Sequence, residues 1–146
     1  MRSVLIFFFA FSLTYNYSYS QTDPLLEFIE QNKDASPGKV INVSSLQLIT
    51  TPEKYHDKVI RVIGYLNLEF EGTALYAYKS DYDNHNYKNS IWINLPMKGR
   101  HALSIQCSKK YVSIIGTFNA EQNGHFGMFS GTIMNLRRID LIEDKK

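Results

Sequence analysis

Residues 58–70 read KVIRVIGYLNLEF, and this stretch decides the fold. Its β-branched first half suits a pleated, half-buried surface. Its second half alternates, with Gly64, Leu66, Leu68 and Phe70 on one face and Tyr65, Asn67 and Glu69 on the other. A period of two is the mark of a strand. Gly64 lies inside the pattern, where glycine signals a bulge, a bend or the close approach of another backbone. A long strand bent at a glycine is what a small barrel needs.

Reading downstream, Glu71 and Gly72 predict a hairpin turn, and residues 73–78 (TALYAY) the returning strand. Residues 79–89 (KSDYDNHNYKN) form a long polar loop, and residues 90–95 (SIWINL) a third strand. The connector from Pro96 carries Gly99 and allows a short helix around residues 102–106. Residues 111–118 (YVSIIGTF) are a fourth strand, again with an internal glycine, Gly116. After a turn at 120–124, the last strand region covers 126–142, interrupted by Gly127 and Gly131.

Reading upstream, Thr51-Pro52-Glu53 is a cap followed by proline, which starts a helical turn. Ser44 and Ser45 can cap another turn carrying Leu46, Leu48 and Ile49, and Val40, Ile41 and Val43 suit a short strand. Asp23-Pro24 opens a helix with Leu25, Leu26, Phe28 and Ile29 as its apolar face, and residues 34–39 (DASPGK) are a turn or linker. The expected fold is therefore mainly β: a five-stranded OB-like barrel with short N-terminal helices and room for a helix between strands 3 and 4. A sandwich of similar strands is the alternative.

The run from Thr51 to Tyr65 (TPEKYHDKVIRVIGY) resembles the opening of many small exported bacterial OB-fold-like proteins of uncharacterised function, which carry a turn and then G-K-x-V-x-V-x-G. Asp57 stands where glycine is usual, and aspartate tolerates a left-handed turn better than most residues. Residues 124–131 (GHFGMFSG) are similar to a segment of such proteins too. The resemblance covers roughly residues 43–140; it implies the fold and no activity.

The chain of 146 residues fits one domain. Residues 1–20 read as a signal peptide: Arg2 precedes the apolar run 4–13 (VLIFFFAFSL), and Ser18 and Ser20 offer small residues before a cut at Gln21. The run is about half the length of a membrane span, so no stable span is expected. Residues 21–42 are expected to hold the helix and linker, 43–142 the barrel and 143–146 a charged tail. Export to the periplasm or medium follows. The 16 basic residues nearly match the 14 acidic ones, and no basic run stands out, so nucleic acid is a disfavoured partner. Cys107 is alone, which excludes an internal disulfide and a multi-cysteine metal site and reads as a buried thiol.

No catalytic constellation is evident. There is no G-x-S-x-G, and His56, His85, His101 and His125 are too scattered for a metal motif. Residues 81–85 (DYDNH) offer oxygens as a calcium loop would, but Asn86 and Trp92 stand where such a loop has glycine and glutamate. Glu69 and Glu71 read as solvent-facing. The suggestive group is aromatic. Tyr65, Tyr76, Tyr78, Tyr82 and Tyr87 fall on the first strands and the polar loop, on the face that OB folds use for ligands, and His125 lies between glycines. These six residues are the expected ligand-binding set, with Trp92 read as core. The leading expectation is a non-enzymatic binding module for a protein, peptide or glycan, with no cofactor and no metal. An enzyme or sensor using His125, Ser130 and residues 81–85 is the alternative, and a nucleic-acid binder the third reading.

Overall fold

The computed structural model describes residues 39–95 and 105–142. The expected signal peptide, the helix after Asp23, most of the connector helix and the charged tail lie outside these residues. Among the described residues there are six strands: β1 (Ile41–Asn42), β2 (Val59–Asn67), β3 (Ala74–Tyr76), β4 (Ser90–Ile93), β5 (Lys110–Asn119) and β6 (Thr132–Leu141). The short helices α1 (Ser45–Thr50) and α2 (Lys79–Asp83) and three 3-10 turns lie between them among the described residues.

The sheet closes on itself. Its order is β1-β2-β3-β4-β6-β5, and β2 also pairs with β5. The ring β2-β3-β4-β6-β5 is thus a closed five-stranded, OB-like barrel. β4 and β6 run parallel, whereas the other ring pairs are antiparallel. β1 is an addition that pairs in parallel with the start of β2, Ile41 beside Ile60. Residues 105–107 are helical, at the end of the connector.

β2 is long enough to serve two neighbours because it bends. Its pairing with β5 runs from Val59–Thr117 to Leu66–Lys110, while its far end pairs with β3 from Tyr65–Tyr76 to Asn67–Ala74. A Cβ on Gly64 would stand 2.6 Å from the Tyr76 carbonyl, and one on Gly116 2.9 Å from the Met134 carbonyl. Both glycines therefore admit a crossing backbone, and neither ends its strand. Asp57 holds φ at 57°, the left-handed turn that the sequence pattern required. Its N–H donates to the Phe118 carbonyl at 2.8 Å, tying the turn to β5.

The barrel interior is aliphatic. Ile60, Val62, Leu66, Leu75, Ile91, Ile93, Ile114, Phe118, Ile133 and Leu136 are all within 1% of complete burial. Leu48 of α1 joins this core. A reciprocal capping box starts α1: Gln47 N–H donates to Ser44 Oγ at 3.2 Å and Ser44 N–H to Gln47 Oε1 at 3.0 Å. Cys107 packs into the same core, and burial pushes its thiol pKa up.

Three expectations need correction. The alternation sets Phe70 on one face with Leu66 and Leu68, but β2 ends at Asn67 and Phe70 is 77% exposed, whereas those two leucines are buried. The alternation stops mattering once ladder pairing stops. Residues 79–89 are not a plain loop: Lys79–Asp83 is helical and Tyr87–Asn89 a 3-10 turn. Asp81 organises them, because its carboxylate accepts from Tyr78 N–H at 3.2 Å and from Asn89 Nδ2 at 2.8 Å. Lastly, the region 126–142 becomes a strand only at Thr132, and His125–Gly127 is a 3-10 turn.

Candidate functional site

The outer face of β2–β4 carries a second, aromatic cluster. Alternation that sends Leu66 inward sends Tyr65 and Asn67 outward, where β3 contributes Ala74 and Tyr76 and β4 contributes Trp92. α2 and the two flanking turns fold over this face. Tyr65, Ala74, Tyr76 and Phe129 become buried, with Tyr82, Tyr87, Trp92 and Met128 packed around them. The rings meet at tilted and edge-on angles: Tyr65–Tyr82 at 5.6 Å, Tyr76–Tyr82 at 5.5 Å and Tyr87–Phe129 at 5.9 Å. Such pairs add about 0.5–1.5 kcal/mol beyond area burial.

The cover is incomplete, and a cleft of about 550 Å³ opens at its edge. Tyr76, Tyr82, Tyr87 and His125 line it, so the structure gathers four of the six expected residues. Tyr65 is 5% exposed and lies behind them, between Tyr82 and Tyr111. Tyr78 is elsewhere. It is 54% exposed and lines a larger, mostly apolar groove of about 800 Å³ with Leu46, Ile63 and Tyr111. None of the orphaned buried polar atoms lies in that groove.

The cleft's polar floor comes from the turn after β2. Asn67 is 1% exposed, and its Nδ2 donates to the Gly72 carbonyl at 3.1 Å. That bond fixes which way the amide faces, because a carbonyl can only accept. It leaves Asn67 Oδ1 buried with no hydrogen-bond partner. Beside it, Glu69 Oε1 accepts from the Tyr82 hydroxyl at a long 3.5 Å. His125 Nε2 is also buried without a hydrogen-bond partner, 4.0 Å from Glu71 Oε2. That distance is too long for a hydrogen bond. The Tyr76 phenol is pushed up to about 12, first by burial and then by Tyr87, Glu69 and Tyr82, so it stays a neutral hydroxyl.

Two exposed aromatics form the lips. Phe70 is 77% and Phe126 85% exposed. Phe126 is held at φ 52°, a strained conformation for a bulky residue. The turn that presents it is zipped to the cover, since Lys88 Nζ donates to the Gly127 carbonyl at 3.3 Å and Ser130 Oγ to the Lys88 carbonyl at 2.6 Å. Gly124, at φ +60°, lets this turn pass against Trp92, whose ring stacks on His125 at 6.5 Å.

No family model, curated protein or solved structure matches this chain. Of the alternative set, Ser130 and Asp81 are engaged in the bonds given above and do not line the cleft, whereas Tyr82 and His85 of the 81–85 run line it together with His125. Among the described residues, no group of three His, Cys, Asp or Glu side chains is placed to hold a metal ion. His56 is structural: its Nδ1 accepts from Ala120 N–H at 3.2 Å.

Sequence reasoning missed Asn67, Phe70 and Phe126 as site residues, and it read Glu69 and Glu71 as mere surface. A signal did exist for the two phenylalanines. Each adjoins a glycine-bearing turn, where a large apolar side chain has no core to enter. Nothing in the sequence marked Asn67, whose burial depends on a cover built by α2 and the 125–129 turn.

Proposed function

We propose that this chain is an exported, non-enzymatic binding module whose protein, peptide or glycan ligand enters the cleft between the 69–72 and 125–128 turns. The observation that carries this reading is Asn67 Oδ1, a buried acceptor without a donor on the wall of a cleft. Leaving such a group unsatisfied costs roughly 1–3 kcal/mol, and a ligand donor relieves it. The exposed pair Phe70 and Phe126 supports the same reading, as rigid apolar surface at the mouth. Export rests on the signal-peptide pattern of residues 1–20. No helix among the described residues is long and apolar enough to cross a membrane.

Affinity capture from the envelope and the medium tests the binding reading. The wild-type protein should recover a partner that a Phe70→Ala/Phe126→Ala variant loses by at least about tenfold. Equal recovery by both would remove the cleft from the proposal. Fusing residues 1–25 to a reporter tests export separately, with the reporter expected outside the cytoplasm and cytoplasmic retention as the contrary result.

A further inference from the structure

Residues 67–71 bring to the cleft acceptors that lack donors, while the hydroxyls of Tyr76, Tyr82 and Tyr87 and the rings of His85 and His125 also line it. Asn67 Oδ1 accepts nothing, the Glu69 carboxylate has the 3.5 Å contact to Tyr82, and the Glu71 carboxylate only approaches His125. These three acceptors sit on consecutive odd positions of one segment, and two of them carry charge. Among the described residues lining the cleft there is no lysine or arginine to neutralise them. A carboxylate accepts and never donates when ionised, so this wall asks for a ligand that donates.

The same cleft also carries rings. Tyr76, Tyr82, Tyr87 and Phe126 line the same cleft. The face of an aromatic ring attracts a cation within about 6 Å, more strongly when the cation is desolvated. This aromatic assembly already does so on its outside: Lys109 Nζ stands 6.0 Å from the Tyr82 ring centroid and Lys79 Nζ 6.0 Å from that of Tyr65.

We propose that the cleft receives a cationic group, the ammonium or guanidinium of a lysine or arginine side chain in a peptide. This inference rests on the binding reading above and names its ligand class. Asn67 Oδ1 takes one ligand N–H, Glu69 and Glu71 supply the countercharge, and the tyrosine rings cover the aliphatic stem. The volume of about 550 Å³ admits one long side chain and its flanking peptide units.

The test titrates the protein with the peptide Gly-Gly-Lys-Gly-Gly, its arginine counterpart, its norleucine counterpart and neutral chitotriose. Trp92, the single tryptophan, stacks on His125 and reports by fluorescence. Amide chemical-shift changes locate the contact. The lysine or arginine peptide should saturate, weaken with added salt, and lose at least about tenfold in affinity in a Glu69→Gln/Glu71→Gln variant. Both positions are exposed, so that variant keeps the fold, which its circular dichroism confirms. Norleucine binding as tightly as lysine, an unchanged affinity in the double variant, or no response to either basic peptide each overturns the proposal. Chitotriose binding that Phe126→Ala abolishes overturns the charge claim and leaves the cleft as the binding site. A lysine response whose shifts map away from Asn67, Tyr76 and His125 overturns both.

Discussion

The two faces of β2 are packed in different materials. Inside the barrel, Ile60, Val62 and Leu66 belong to a mostly aliphatic cluster with Phe118 and Cys107. Outside, Tyr65 packs with Phe129 and with rings that carry a polar tip, those of Tyr76, Tyr82, Tyr87 and Trp92. The inner cluster can close completely because its residues have nothing to hydrogen-bond. The outer cluster cannot, since its hydroxyls, imidazole and amide need partners or water. Its residual opening is the cleft. The same strand thus fixes the fold with one face and frames the cleft with the other.

Truncating one large ring on each side gives the largest expected effect. Phe118→Ala should lose about 3–5 kcal/mol of stability in urea unfolding, because its neighbours in the closed barrel cannot collapse into the void. Phe129→Ala should fall at the low end, about 3 kcal/mol, since Trp92, Tyr87 and Met128 are half-buried and free to shift. A larger loss at Phe129 than at Phe118 would break the distinction between a closed core and an adaptable cover.

The next effect belongs to the outer cluster alone. The Tyr76 phenol has its folded pKa raised from 10.0 to about 12. A raised pKa means that the folded state holds its proton after the unfolded chain has lost it. The stabilisation is complete below about pH 10 and is lost as pH climbs through the folded value. Over that window the wild type should lose roughly 1.4 kcal/mol per pH unit more than Tyr76→Phe does. Parallel alkaline curves for the two proteins would show that Tyr76 is not sealed by its cover.

A kinetic comparison follows. Cys107 belongs to the inner core, and burial raises its thiol pKa. At pH 8 it should react with a thiol reagent at the rate at which the domain opens, and in full in denaturant. Fast reaction in the native state would place it outside the core. The smallest effects are expected at the lips. Phe70→Ala and Phe126→Ala should each change stability by no more than about 0.5 kcal/mol in the same urea assay. A greater loss would make these rings part of the outer core.

Particular residues show how far the sequence could be read. Gly64 and Gly116 announced the bends, and each meets a crossing carbonyl where a side chain would clash. Asp57 announced its left-handed turn. These are local demands on one residue, so one residue reveals them. Phe70 misled because alternation persists in sequence after pairing has ended at Asn67. The polar run 79–89 hid a helix because Asp81 draws its donors from Tyr78, Asn86 and Asn89, a closure that composition does not display.

The order of strands, the glycine bends and the aliphatic filling of the barrel were determined by the sequence itself, through periodicity and steric demand along short stretches. Which tyrosines are buried, that Glu69 and Glu71 share a cleft with His125, and that Asn67 keeps an idle acceptor were decided only by the tertiary structure. The reason is physical. Those properties depend on segments some sixty residues apart, 67–71 and 125–128, being brought together on the outer face of a closed sheet.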